Sequence, residues 1–315
     1  MSDSPCTVVA ATDAGAIDAA ADAIRRGGLV GLPTETVYGL AGDAMSDRAV
    51  ERIFAVKNRP STHPLILHLA DASWLADWAD TVCEAAAVLA RECWPGPLTL
   101  LLPAAAHVPR SPLGGRTTAA FRVPAHDVAR SVIRSVSRPV AAPSANRFGR
   151  VSPTTAAHVC VDLGSDVDLV LDGGPSVLGI ESTIVDLSSR SLQVLRHGAL
   201  PVEDLESLLG VPIERASGSS RAPGMLASHY APSCTVRLAD GAEEAASILS
   251  EVTAHGARAR ILPHHRVTSV YAATLYEELR RCDRDGLDTV IAVLPPAQGL
   301  GRAIRDRLEK AAAPR

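Results

Sequence analysis

Residues 57–69 read KNRPSTHPLILHL. The run before them, SDRAVERIFAV (46–56), carries Val50, Ile53 and Phe54 at helical spacing behind Ser46, a natural N-cap. Lys57 falls in the last turn of that helix, where a cation complements the helix dipole. Pro60 and Pro64 punctuate a loop, and LILHL then alternates as a strand, with Leu65, Leu67 and Leu69 on one face and Ile66 and His68 on the other. Lys57 therefore has a structural explanation. Arg59 and His63, on a loop with no apolar work to do, have a weaker one, and His68 needs a partner if its face is buried.

From about residue 7 to 210 short apolar runs rich in Val, Ile and Leu alternate with Ala-rich helical segments, which predicts an α/β fold. Strands are expected in GLVGLP, PLILHLA, PLTLLLP, TAAFRVP, RPVAAPS, VDLVLDGG, ESTIVDL and LQVLRHG, and helices at 14–27, 46–57, 71–79, 82–92, 125–136, 154–162 and 201–209. The texture changes in ERASGSSRAPGMLASHYAPSC (214–234), which has no periodicity and reads as a linker. Strands and helices alternate again beyond it, predicting a small parallel, Rossmann-like sheet. The expected division is 7–210, a linker over 211–234, and a second domain over 235–315.

A net charge of −4 gives no electrostatic case for tight non-specific nucleic-acid binding. Cys6, Cys83, Cys93, Cys160, Cys234 and Cys282 are scattered, without a C-x-x-C pair or zinc spacing, which suits a reducing cytoplasm. The N-terminus lacks signal-peptide features and no apolar run reaches membrane-spanning length. The expectation is a cytoplasmic protein with no membrane association.

Several strand ends are polar in specific ways. PTETVYG (33–39) reads as a strand-to-helix turn with Thr34 or Thr36 as a cap. Ser144 and Asn146 in PSAN are ordinary turn residues, Ser182 and Thr183 open a strand, and Arg122 and Arg196 stand at strand ends. Each is unremarkable alone. Their joint placement matters, because open α/β sheets bind ligands at strand ends and the loops beyond. There is no G-x-x-x-x-G-K-[ST] loop, no G-x-S-x-G elbow and no His/Cys metal set. What remains suits an anion: arginines for carboxylate or phosphate, Lys57 as a point charge for phosphate, and hydroxyls for the remaining oxygens. Such a site positions and neutralises rather than forming a covalent intermediate.

In order, PTETVYGLAGDA, KNRPSTHPLILHL, WPGPLTLLLP, FRVPAH, APSANRFGRVSPT, GIESTIVDL, VLRHGALP and PGMLASHYAP resemble the Sua5/YrdC family of threonylcarbamoyl-AMP synthases. The linker and the closing GLGRAIRDRLEKAA resemble its longer, Sua5 form. The resemblance implies a YrdC-like twisted open mixed sheet with helices, plus a small Rossmann-like α/β domain. It also implies a nucleotidyltransferase that joins L-threonine, bicarbonate and ATP into L-threonylcarbamoyl-adenylate with release of pyrophosphate, for N6-threonylcarbamoyladenosine in tRNA. Implied partners are the three substrates and, downstream, tRNA or a threonylcarbamoyl transferase complex, with Mg²⁺ held through the ATP phosphates.

Carried over by residue, the resemblance puts Thr36, His68, Arg122, Ala142 and Ser182 around threonine. It puts Arg59, His63, Thr118, Ser144, Ser152, Arg196 and, from the linker, Tyr230 around ATP. Lys57, Arg59, Ser144 and Asn146 match its K-x-R and S-x-N signatures. The HYAP segment would fold over the cleft as a lid, which would explain Met225, His229 and Tyr230 in a flexible stretch. The chain departs from the pattern at His63, where Asn is usual, at Asn58, often Gly, and at His197, where Pro is common. Two alternatives remain at this stage: a carbamoyl-adenylate synthase of a specialised pathway, and an RNA-binding module.

Overall fold

The structure, a computed structural model, describes residues 6–189, 191–216 and 229–314. One mixed sheet is built from β1 (Val8–Ala10), β2 (Val30–Leu32), β3 (Gly39–Asp43), β4 (Ile66–His68), β5 (Leu98–Pro103), β6 (Thr118–Arg122), β7 (Val140–Ala141), β8 (Leu169–Asp172), β9 (Thr183–Asp186), β10 (Gln193–Arg196) and β11 (Glu214–Arg215). Their spatial order is β1-β8-β2-β3-β7-β4-β6-β5-β9-β10-β11. Helices α1 (Ala16–Arg25), α2 (Asp47–Lys57), α3 (Leu75–Trp78), α4 (Glu84–Cys93), α5 (Asp127–Val136), α6 (Ala156–Leu163) and α7 (Val202–Leu209) belong to this part of the chain. A second sheet of three parallel strands has the order β12-β14-β13: β12 (Thr235–Ala239), β13 (Ala259–Ile261) and β14 (Thr289–Val293). Its helices are α8 (Ala242–Ala254), α9 (Thr268–Arg284) and α10 (Leu300–Ala312).

The 46–69 unit forms as its chemistry dictates. Ser46 accepts a hydrogen bond from the Ala49 amide at 3.3 Å and caps α2. Asn58, at φ 52°, ends that helix in the left-handed conformation that short polar side chains tolerate. Leu65, Leu67 and Leu69 are fully buried in the largest core cluster with Leu100, Phe121 and Val185. The opposite face of the same strands is where chemistry is placed: Ile66 pairs with Ala120 and His68 with Arg122, so Ile66, His68, Ala120 and Arg122 share it.

Three expectations are corrected. PTETVYG does not lead into a helix; it connects β2 to its antiparallel neighbour β3, and Thr34 Oγ1 closes the turn by accepting from the Val37 amide at 3.2 Å. β1, β3 and β11 were not foreseen: Glu214–Arg215 pairs with β10 inside the stretch read as linker, and GLAGD in β3 has none of the β-branched or aromatic residues that mark a strand. The predicted 71–79 helix is a 3₁₀ turn, Ala72–Trp74, followed by the one-turn α3. The linker expectation at Met225 lies outside the described residues.

The cysteines are not all free. Cys6 and Cys160, 154 positions apart, form a disulfide that ties the start of β1 to α6, with their Cα atoms 5.5 Å apart. Spacing along the chain carries no trace of that pairing. Cys6→Ser is expected to lower stability by about 2–4 kcal/mol in non-reducing buffer and to change nothing in excess reductant, because the cross-link restricts the unfolded chain. Thermal melts of both proteins with and without reductant check this; equal melts without reductant would mean that the bond does not form.

Candidate active site

One cavity lies on the polar face of the sheet. Its wall takes Thr34, Thr36, Val37 and Gly39 from the β2–β3 connection, Arg59 from the loop after α2, Ile66 and His68 from β4, and Arg122 from β6. Ala142, Pro143 and Ser144 follow β7, Glu181 and Ser182 precede β9, Arg196 ends β10, and His229 and Tyr230 come from the linker. Of the residues expected in the site, Thr36, Arg59, His68, Arg122, Ala142, Ser144, Ser182, Arg196 and Tyr230 are brought together on this wall. The free interior is about 50 Å³, room for a water or two and far below the ~300 Å³ at the small end of ligand pockets. His229 and Tyr230, both buried, close part of its wall.

Three guanidinium groups converge there, each anchored by neutral acceptors or one carboxylate. Arg122 is 2.7 Å from Glu35 Oε1 and also donates to the Gly96 carbonyl at 3.2 Å. Arg196 donates to the Ser182 carbonyl and hydroxyl, and the Ser182 hydroxyl lies 2.7 Å from that of Thr99. Arg59 donates to the Pro64 carbonyl at 3.0 Å, with its guanidinium 5.6 Å from the Phe148 ring centre. Burial lowers the Arg59 pKa to about 10. His68 is driven down to about 3 by burial and by Arg122, and is a neutral imidazole. His229 is likewise held at about 3, chiefly by burial.

Glu181 was missed by sequence reading, where GIES looks like a strand entrance. It accepts from the Ser152 hydroxyl at 2.6 Å, from the Tyr276 hydroxyl of α9 at 2.9 Å and from Arg307 Nε of α10 at 2.7 Å. Burial alone would raise its pKa; Arg307 and Arg196 overcome that and hold it at about 2. Arg307 is completely buried and stands 4.8 Å from the ring centre of Tyr230, which also meets the stacked Tyr276 ring and the edge-on His229 ring. Tyr230 itself has φ 62°, unusual for a bulky residue and sustained by this packing. Gly179 lets α9 come this close: a Cβ there would lie 2.6 Å from the Ala273 backbone.

Five expected residues stand off the wall. Lys57 does not reach out toward phosphate: it is buried, and its Nζ donates to the Ser144 and Asn146 carbonyls, fastening the PSAN loop to α2. Burial, with Arg59 nearby, pushes its pKa well down. Asn146 turns its amide to the Arg147 and Arg150 carbonyls, 2.7 and 2.9 Å away, and Ser152 is spent on Glu181. Thr118 shares the polar face of β6 with Arg122 but lies further out. His63 meets Phe148 at a ring separation of 5.6 Å, and Phe148 touches His229. Among the described residues, no group of three His, Cys, Asp or Glu side chains is arranged to hold a metal ion.

Residues 22–198 match a family model for Sua5, YciO and YrdC proteins described as "Telomere recombination", and residues 200–313 match one described as "Threonylcarbamoyl-AMP synthase, C-terminal domain". The chain is similar to a Pyrococcus abyssi protein named threonylcarbamoyl-AMP synthase, 38% identical over 93% of this chain and 92% of that one. A Bacillus subtilis protein of the same name is also 38% identical, with the same coverage of each chain. Among solved structures it is similar to P. abyssi Sua5 complexed with L-threonine, with a TM-score of 0.92, 37% identity and 98% of each chain covered.

The neutral histidines set a pH dependence. A histidine held near 3 in the fold but near 6.5 when unfolded favours folding fully above pH 6.5 and progressively less below it, because the unfolded chain then binds the extra proton. Between pH 6.5 and 4.5 stability is expected to fall by about 1.4 kcal/mol per pH unit for His68, and His68→Gln to show a correspondingly shallower slope. Denaturant titrations across that range measure it; identical slopes would refute the burial of a neutral ring.

Proposed function

The chain belongs to the Sua5–YciO–YrdC family, and on that premise we propose that it is an L-threonylcarbamoyladenylate synthase, a nucleotidyltransferase acting on L-threonine, bicarbonate or CO₂, and ATP. The threonine amine captures the one-carbon unit as a carbamate, a carbamate oxygen attacks the α-phosphorus, and pyrophosphate leaves. The observation that carries this reading is the convergence of Arg59, Arg122 and Arg196 on one cavity in which, among the described residues, no nucleophile and base stand in partnership. Three fixed cations suit a reaction whose substrates are a carboxylate, a carbamate and a triphosphate, and whose needs are alignment and charge neutralisation.

In this reading Arg122 takes the threonine carboxylate with Ser182 beside it, and Thr36, His68 and Ala142 complete that end. Arg59, Arg196 and Ser144 face the phosphates, with His63, Thr118 and Ser152 in the outer part of the nucleotide site. Lys57 and Asn146 act by holding the PSAN loop. Mg²⁺ enters on the triphosphate itself. His229 and Tyr230 form the lid: they withdraw for ATP to enter and return to exclude water from the carbamate. We assign residues 7–210 to the catalytic domain, 211–234 to the lid-bearing linker and 235–315 to the C-terminal domain. The product would serve tRNA threonylcarbamoylation in the cytoplasm through a downstream transferase; among the described residues no helix is long and apolar enough to cross a membrane.

The test is pyrophosphate release from ATP with L-threonine and bicarbonate each present or omitted, and the nucleotide product identified by mass. Release is expected only when both are present, with the mass of threonylcarbamoyl-adenylate. Arg122→Ala is expected to raise the threonine KM by about 100-fold or more, the loss of a charged bidentate contact, with a much smaller change for ATP. Release indifferent to threonine would overturn the assignment.

A further inference from the structure

We propose that this cavity takes L-threonine with its amine uncharged, as the H₂N–CHR–COO⁻ anion, so that binding itself expels the ammonium proton and supplies the nucleophile. The inference rests on the threonine-binding reading of the site above. Its starting point is a chemical requirement. Nitrogen needs a lone pair to bond the carbon of CO₂ or bicarbonate, yet a free amino acid in neutral water carries its amine mainly as ammonium. An enzyme can meet this with a base, or by offering the ammonium no counter-charge.

Around the cavity the second arrangement is built. The loop after α2 contributes Arg59, β6 contributes Arg122, β10 contributes Arg196, and Arg307 of α10 stands behind Tyr230. Against these four guanidinium groups there are three carboxylates, of which Asp306 stands with Arg307 and Lys310 on α10, behind Tyr230. Glu181, the single carboxylate among the described wall residues, has both oxygens engaged by Ser152, Tyr276 and Arg307. Glu35 lies behind the wall with Oε1 on Arg122. Lys57 and His63 stand off the wall, and burial lowers the pKa of each. The two histidines on the wall, His68 and His229, are neutral. The stretch 217–228, which precedes His229, contains Arg221 and no Asp or Glu.

A third kind of cation placed here would be desolvated among positive groups, which favours its uncharged form. The carboxylate of the same molecule is favoured for the same reason. His68 then has a defined part. Its Nδ1 lies 3.3 Å from the Ile66 carbonyl, which assigns the proton to Nδ1 and leaves the Nε2 lone pair to accept an N–H from a neutral amine. The step balances simply: an N–H bond of the ammonium breaks, its electron pair stays on nitrogen, and the proton goes to bulk solvent. One group argues the other way. Glu35 Oε2 is buried without a hydrogen-bond partner among the described residues and is the one place where an ammonium would find a free carboxylate oxygen.

Calorimetry of L-threonine binding to the nucleotide-free protein, in buffers of different ionisation enthalpy at one pH, counts the protons released. The expected result near pH 7.5 is close to one proton per threonine, with affinity rising about tenfold per pH unit between pH 6.5 and 8.5. Under the same conditions 3-hydroxybutyrate, which has the carboxylate and hydroxyl but no amine, is expected to bind without proton release. Glu35→Gln is expected to leave the count unchanged. Threonine binding with no proton release and a flat pH dependence would overturn the inference while leaving the threonine site standing. So would release that accompanies 3-hydroxybutyrate, or that appears only in Glu35→Gln. No saturable threonine binding at any pH would sink the functional reading and this inference with it.

Discussion

A buried carboxylate cannot stand alone, and Glu181 is the one on which this architecture turns. Its charge is compensated by Arg307 from α10 and satisfied by Tyr276 from α9 and Ser152 from the segment between β7 and α6. The same Arg307 and Tyr276 flank the Tyr230 ring. The second sheet is therefore more than an appendage: its helices α9 and α10 supply the groups that neutralise a wall residue of the cavity and pack against Tyr230. Arg280, paired with Asp162 at 2.5 Å and donating to the Ser152 carbonyl, ties α9 down beside them.

The main sheet solves a complementary problem, how to hold several cations in a protein interior without unfolding it. Period-two alternation keeps Leu67 of β4 and Leu98, Leu100 and Leu102 of β5 in the core and turns His68 and Arg122 to the polar face that Ser182 also meets. On that face the guanidinium groups are saturated largely by backbone carbonyls, of Pro64, Gly96 and Ser182. Carbonyl dipoles orient a cation without cancelling its charge. The positive field is left for a ligand.

Much of this was legible in the chain itself. Ser46 announces α2, alternation marks β4, and the polar strand ends of β6, β7 and β10 contribute wall residues once the strands assemble. What could not be read were the long-range pairings. Lys57 looks like a free cation at a helix end, and only the fold shows that its acceptors lie 87 and 89 positions away. Glu181 passes unnoticed at a strand entrance because its partners Tyr276 and Arg307 arrive from 95 and 126 residues downstream. β3 was hidden because GLAGD depends on its neighbours, β2 and β7, for its strand conformation rather than on local propensity. Cys6 and Cys160 have the same character.

The strand order has a consequence for how the chain is made. Four times a later strand is seated between two earlier ones: β8 between β1 and β2, β7 between β3 and β4, β6 between β4 and β5, and β14 between β12 and β13. During synthesis from the N-terminus, β1 leaves the ribosome about 160 residues before β8, and β12 and β13 wait side by side with no ladder to join until β14 appears. Nascent chains of this protein thus carry unpaired strand edges for most of translation, the form in which β-structure is most prone to associate with its neighbours. Its high non-local content also makes final assembly slow relative to helical proteins of similar size. The arrangement that builds a rigid polar face in the finished protein makes its biogenesis dependent on protection of those edges.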